Sequence, residues 1–300
     1  MPNLASIVFR IAIISLLALA PSAFAAAASH GPTVKIAVLD LGNESTGVRV
    51  SQILRERLSS ANNIIVIDHD SAKAAAAGVG YAGSLNLTLE AARDLGAAIG
   101  CDFFVVGDAQ TLRRSPATGA PYFESFASIF VVSARSGRLV LWEKPSVRAD
   151  TAAHAQAALL LQLTAQSIAT HLSAAIETTL AREASERAER VEKGTPVIEI
   201  MSDESGEAAS DTRPPRPFRR LKPDYPTAAA ESLIEAIVDV LVDVDDKGEV
   251  GRVEISRWAG YGLDESVVAT VKQLHFFPAM RNRRAIPMRV LLRYNFRKPQ

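Results

Sequence analysis

The sequence predicts an α+β/α/β protein of two domains: an N-terminal α/β sandwich, then a long helix and linker, then a small antiparallel sheet packed with two helices. Three observations predict it. Apolar β-rich runs alternate with amphipathic stretches from residue 34 to about 175. A segment rich in small, acidic and proline residues interrupts that pattern at 194–217. The last part of the chain then carries strictly alternating valine-rich strands. A length of 300 residues also suits two cores better than one.

In order along the chain, VKIAVLDL (34–41) is nearly continuously apolar, as a buried strand is. VSQILRERLSS (50–60) places Val50, Ile53, Leu54 and Leu58 on one helical face. NIIVIDHD (63–70) reads as a second strand, and LTLEAARDLGAAIG (87–100) as a helix ending at glycine. CDFFVVGDAQTLRR (101–114) is a third strand. Residues 122–147 form a hairpin turning at Ser136-Gly137. Residues 151–192 are helical throughout by propensity. Their first half is apolar enough to pack on a sheet, and their second half, AREASERAERVEKG, is charged all round and expected in solvent.

The termini and the break between the parts add constraints. Arg10, the apolar run 11–20 and Ala23-Phe24-Ala25 read as an export signal over residues 1–25, giving a periplasmic protein that starts near Ala26. The alternative is a retained inner-membrane anchor, which would have to carry Arg10 into the bilayer. In the break, PVIEIM (196–201) is a candidate edge strand, and residues 194–217 fully extended span about 80 Å. The expected boundaries are therefore 33–175 for the α/β domain, 176–213 for charged helix and acidic, proline-containing linker, and 214–298 for the last domain.

In that last domain Tyr225-Pro226 precedes a short helix, TAAAESL. Val238, Val240, Val242 and Val244 then alternate with Ile237, Asp239, Leu241 and Asp243. DDKG (245–248) turns the chain into a partner strand. Asp264 is expected to cap a helix carrying Val267, Val268, Val271 and Leu274 on one face. In the final strand Met288, Val290, Leu292, Tyr294 and Phe296 point one way. These runs predict a three-stranded antiparallel sheet.

The series KIAVLDLGNESTG, IIVIDHD, ARDLGAAIGCDFFVVGDA and ARSGRLVLWE resembles the N-terminal α/β domain of the CsgG-like and TolB N-terminal-like families. The resemblance implies partner binding or assembly in a bacterial envelope and transfers no catalytic residue. The series PDYPTAA, IEAIVDVLVDVDDKGEVGRVEI, AGYGLDESVVATVKQLHFFPA and IPMRVLLRYNF resembles the C-terminal domain of the TonB energy transducers. That domain grips the periplasmic box peptide of a gated outer-membrane transporter by strand addition. The resemblance implies that Met288, Arg289, Val290, Leu291, Leu292, Arg293 and Tyr294 form the gripping strand. Lys222, Tyr225 and Pro226 would lie near the peptide's path. Arg289, Arg293 and Arg297 serve equally as protection of an edge strand. The implied partners are an outer-membrane TonB-dependent receptor or another envelope protein, with inner-membrane motor proteins if the chain is anchored and self-association open.

Departures are visible. Ala236 replaces the family's usual glycine, RNRRAIP replaces a glycine-containing turn, and residues 1–29 contain no histidine. The Lys-Pro and Glu-Pro repeats of the transducers are missing too, which leaves coupling to a motor open.

Chemical motifs do not accumulate. GVGYAG (78–83) follows a helix-like run rather than a strand, against a nucleotide site. Asp68-His69-Asp70 lacks a third metal ligand at suitable spacing and reads as a solvated strand end. The single cysteine, Cys101, reads as a core residue. Basic and acidic residues balance at 33 each, against nucleic-acid binding. From Arg213 onward sixteen basic residues face eleven acidic ones, a modest surplus. The expectation is a binding protein with no cofactor and no catalytic centre. It is either a TonB-family envelope protein in transport across the outer membrane or a soluble periplasmic scaffold; an enzyme with an unmarked site is the third reading.

Overall fold

A computed structural model describes residues 33–61, 63–164, 166–193, 200–201 and 212–298. The expected export signal and most of the linker lie outside them. Pro32–Gln300 forms one compact unit. Among the described residues no helix is long and apolar enough to cross a membrane.

The first half runs β1 (Val34–Val38), α1 (Ser45–Ser59), β2 (Ile64–Val66), α2 (His69–Gly78), α3 (Leu89–Ile99), β3 (Phe103–Arg114), β4 (Tyr122–Ser133), β5 (Leu139–Glu143), β6 (Ser146–Ala149), α4 (Ala152–Thr164) and α5 (Gln166–Lys193). The strands form one sheet in the order β2-β1-β3-β4-β5, with β6 also on β4. β2, β1 and β3 are parallel, and β3, β4 and β5 antiparallel. Strand alternation divides the core in two. Ile36, Val38, Phe103, Val105, Ile129 and Val131 face one way, onto Val50, Leu54 and Leu58 of α1, Leu159 of α4 and Leu172 of α5. Ala37, Phe104, Val106, Phe130 and Val132 face the other, onto α2, α3 and the second half of the chain. Thr88 caps α3 by accepting from Ala91 N, and Gly100 ends it in the left-handed region.

One expectation for residues 151–192 changes. The described parts of the stretch are helical, as α4 and α5. Its charged end is not solvated all round. Glu183 is buried and accepts from Ser133 Oγ at 2.6 Å, and Glu186 takes both its oxygens to Arg138 Nη1 at 2.9 Å. Acidic residues that look solvent-facing in a helical pattern are drawn in because the β4–β5 turn supplies partners for them.

The second half contains β7 (Ile200–Met201), β8 (Thr212–Arg213), β9 (Arg216–Pro217), α6 (Thr227–Glu231), β10 (Ala236–Val244), β11 (Val250–Arg257), α7 (Leu263–Val271), β12 (Phe276–Phe277), β13 (Ala279–Arg281), β14 (Arg284–Ile286) and β15 (Met288–Phe296). Its main sheet is β11-β10-β15-β7, three antiparallel strands with β7 added parallel. Val238, Val240, Val242 and Val244 are buried in one core with Leu263, Val267 and Val271 of α7. β8, β13 and β14 form a small separate sheet, and β9 pairs with β12.

The two halves are joined rather than held apart by the linker. Trp258, 1% exposed, stacks on Phe130 of β4 with ring centroids 5.8 Å apart. Its indole Nε1 donates to Gly137 O at 3.1 Å. Tyr261 meets Phe130 edge-on and lies 4.7 Å from the Trp142 ring, while its hydroxyl bonds Ser128 Oγ at 3.0 Å. Asn86 donates to Ile237 O and Trp258 O at 2.8 and 2.6 Å, and accepts from Ile237 N. Gly260 (φ 71°) permits the approach, since a Cβ there would stand 2.6 Å from the Phe130 ring.

Asp264 does not cap α7 as expected. Gly262 holds the cap position, and the Asp264 carboxylate instead accepts from Ala259 N and Gly260 N at 2.9 and 2.8 Å. Burial pushes that carboxyl up to about 6. It therefore fixes the Trp258–Gly262 loop that enters the first half.

Replacing Trp258 with alanine removes a buried aromatic and leaves Gly137 O without its donor. The expected loss is about 3–5 kcal/mol in urea unfolding. A loss under about 1 kcal/mol would contradict the role given to this contact.

Candidate strand-accepting edge

β15 pairs with β10 over its whole length, from Met288 opposite Val244 to Phe296 opposite Ala236. Its other side is only partly covered: Ile200 lies opposite Arg289 and Met201 opposite Val290. Among the described residues no strand lies beyond Leu291–Phe296. Among those residues this backbone is an edge of the sheet, the kind of edge whose polar groups an added strand can use.

The two faces of β15 are anchored differently. Met288, Val290 and Phe296 are buried, and Leu292 and Tyr294 half-buried, against the β10 valines and α7. On the opposite face the register aligns Asp239 with Arg293, Leu241 with Leu291 and Asp243 with Arg289. Arg289 grips Asp243 with two donors, Nη2 reaching Oδ2 at 2.8 Å. Arg293 binds Asp239 through Nε at 2.7 Å and Nη2 at 3.0 Å, and Arg257 adds a third contact at 3.1 Å. Asp239 is only 4% exposed. Burial by itself would raise its carboxyl, but the Arg293 and Arg257 hydrogen bonds outweigh burial and hold it below the ordinary range. The Asp243 hydrogen bond likewise raises the Arg289 guanidinium. These arginines are thus committed within the sheet, stiffening β15 against β10, while Leu291 is 42% exposed between them.

Of the other residues singled out in the sequence, Tyr225 lies at the Phe296 end of the strand. Tyr225 packs 6.1 Å from the Phe296 ring and its hydroxyl donates to Ile234 O. Pro226 begins α6 and approaches Gly262, and Lys222 is exposed. Tyr225 therefore marks the Phe296 end, roughly 27 Å of extended chain from Met288. What sequence reasoning missed is the cross-strand clamp. Its signal was present: DVLVD (239–243) and RVLLR (289–293) are charge-complementary when laid antiparallel.

The motifs singled out elsewhere in the sequence take structural places among the described residues. Asp68 caps α2 by accepting from Ser71 N, so it is a helix start rather than a solvated strand end. His69 Nε2 and Lys73 Nζ both contact Asp40, at 2.7 and 2.8 Å. Those two partners, with burial opposing them, lower the Asp40 carboxyl. Among the described residues no group of three or more His, Cys, Asp or Glu could hold a metal ion. Gly78 closes α2 and residues 79–83 follow it as a turn and loop, so the glycine motif has no strand before it. Burial pushes the Cys101 thiol up to about 12, which suits a packed, unreactive group.

Comparison with known proteins agrees with this geometry in the second half. Residues 222–297 match the family described as Gram-negative bacterial TonB protein C-terminal, so this stretch is a TonB C-terminal module. Among solved structures, the TonB C-terminal domain of Pseudomonas aeruginosa is 19% identical; the match covers 34% of this chain and 96% of that one, with a TM-score of 0.26. The LpoB C-terminal domain of Salmonella enterica is 10% identical over 39% of this chain and 83% of its own, with a TM-score of 0.28. Lipoprotein GNA1162 of Neisseria meningitidis is 14% identical over 50% and 99%, with a TM-score of 0.29. These scores carry no functional weight. No curated protein matches the chain.

The Asp239 clamp makes stability pH-dependent in a definite direction. A carboxyl held low in the fold contributes stability above its unfolded value of about 3.9, and that contribution is lost as pH falls through the lower folded value. Asp239→Asn should cost roughly 1–3 kcal/mol at neutral pH, because charge-assisted hydrogen bonds are weakened while the partly exposed arginines regain water. The difference from the parent protein should shrink as pH is lowered from about 5 to 2 in denaturation experiments. A difference independent of pH would contradict it.

Proposed function

We propose that this protein is an exported binding protein of the Gram-negative cell envelope whose TonB-type module takes an extended segment of another envelope protein onto β15. The observation that carries the reading is the β15 edge, paired by β7 at Arg289 and Val290 and, among the described residues, with no strand on it from Leu291 onward. Backbone hydrogen bonds along that edge supply affinity, and pockets beside alternate side chains supply selectivity. The partner is a periplasmic segment of an outer-membrane receptor, in transport across the outer membrane. Residues 1–25 act as the export signal and the role is binding rather than catalysis.

A second reading is a periplasmic scaffold that uses the same edge without a motor. The shared core favours it, because the module sits on Phe130 and Gly137 of the first half instead of at the end of an extended tether. In this reading the first half, a CsgG-like α/β sandwich, sets where the protein assembles.

β7 bears on how a partner binds. It already uses the edge at Arg289 and Val290, so an incoming strand either continues from Leu291 or displaces Ile200–Met201. Val290 and Leu292 lie inside the β10–β15 ladder, so proline there disrupts the sheet itself as well as capture. The cleaner variant is in β7.

Titration with peptides from receptor periplasmic segments should shift the backbone amide resonances of Leu291–Phe296 before those of β11. Shifts confined to other surfaces would sink the reading. Met201→Pro should tighten peptide binding several-fold by weakening the resident strand, measured by fluorescence anisotropy. Weaker binding in that variant would show that β7 supports the partner rather than competing with it.

A further inference from the structure

Away from the β15 edge, the pairing of β9 with β12 builds a surface of unusual composition. Phe277 lies opposite Arg216, and Phe276 opposite Pro217. Phe276 is buried, so Phe277 and Arg216 face outward, and Phe218 joins them two residues on. Phe218 N donates to His275 O, which extends the pairing by one position. The two phenylalanine rings touch edge-on with centroids 4.2 Å apart, yet Phe218 is 58% exposed and Phe277 61%. Two large apolar rings spend much of their area on water instead of turning into the core beside them.

Charge surrounds the pair with one predominant sign. From Arg213 to Lys222 there are five basic residues, Arg213, Arg216, Arg219, Arg220 and Lys222, and no acidic one. All five are exposed, and none enters an ion pair among the described residues. The β13–β14 hairpin adds exposed Arg283 and Arg284, and β8, which carries Arg213, lies along β13. Asp245, Asp246 and Glu249 border the patch on the β10–β11 turn. There Glu249 is paired with His275 at 3.3 Å, and Asp245 accepts from Lys247 N and Glu249 N. The arginines of the β15 face are already matched by aspartates, so the surplus at Arg213, Arg216, Arg219 and Arg220, unpaired among the described residues, is distinct from that face.

We infer that this surface docks on an anionic phospholipid bilayer, with Phe218 and Phe277 entering the headgroup boundary and the arginines lying against lipid phosphates. A bilayer fits both halves of the composition. Exposed aromatic rings partition into the interfacial layer, and basic side chains gain from the negative surface potential. An acidic protein segment would satisfy the charge but leave the two rings unexplained.

The test uses Pro32–Gln300, the compact unit, because the apolar run at 11–20 would partition into lipid by itself. It should co-sediment with vesicles containing phosphatidylglycerol and not with phosphatidylcholine alone, with binding falling as salt rises. Phe218→Ser with Phe277→Ser should lower partitioning at least about 10-fold at unchanged net charge, as should Arg216→Glu with Arg219→Glu and Arg220→Glu. Circular dichroism of each variant checks that it is folded. Phe277→Trp should be quenched by brominated lipids. Equal binding to neutral vesicles, or binding indifferent to the two phenylalanines, would overturn the inference. So would capture of poly-glutamate with no vesicle binding, which would assign the patch to an acidic protein segment.

Discussion

The stacking of Trp258 on Phe130 is the contact on which the arrangement of the second half depends. The TonB-type module has its own small sheet, but its position is set where a buried indole lies against a ring of the first half's sheet and donates its one N–H to Gly137 O. Aromatic burial supplies the attraction, and the hydrogen bond removes the cost of burying a polar N–H. Asn86 then ties the start of β10 to the same loop, since one amide side chain bonds Ile237 and Trp258. With β10 fixed, β15 is fixed through the nine-residue ladder between them.

The receiving edge inherits that rigidity. An added strand gains most when the backbone it meets is already extended and loses no freedom on binding. Two arginine–aspartate clamps and a row of buried valines hold β15 straight before anything arrives. The same clamps explain how a long edge can be left open. Only Leu291 among the outward residues 289–293 is a large apolar group in solvent, and β7 covers the start of the strand. Edge strands invite unwanted pairing, and partial cover with charge on the face limits it.

Much of this was legible in the sequence. Period-two alternation at 237–244 and 286–296 placed β10 and β15 and their buried faces correctly, because one face of each is wholly apolar. The β4–β5 hairpin followed from its Ser136-Gly137 turn, and the helix read over 87–100 from its amphipathic pattern and terminal glycine. Three things were not legible, the first two because they depend on residues far apart in the chain and the third because two local geometries compete for one side chain. Trp258 and Tyr261 carry no periodicity, so nothing local announces that they serve another sheet. Glu183 and Glu186 look solvated until Ser133 and Arg138 are brought beside them. Asp264 has the spacing of a helix cap, yet two loop amides compete for its carboxylate and win.

The two glycines at the junction have a consequence for ancestry. A β-carbon at Gly260 would stand 2.6 Å from the Phe130 ring, and one at Gly137 would stand 2.1 Å from Leu89 O. One glycine belongs to each half, and each is what lets its own loop lie flat. A strand-accepting module recombined into this chain from elsewhere would bring a serviceable sheet but no flat loop to lay against the first half. Of these two glycines it is Gly260 that ties the halves, constrained to change only with Phe130 across the junction, while Gly137 answers first to Leu89 in its own half.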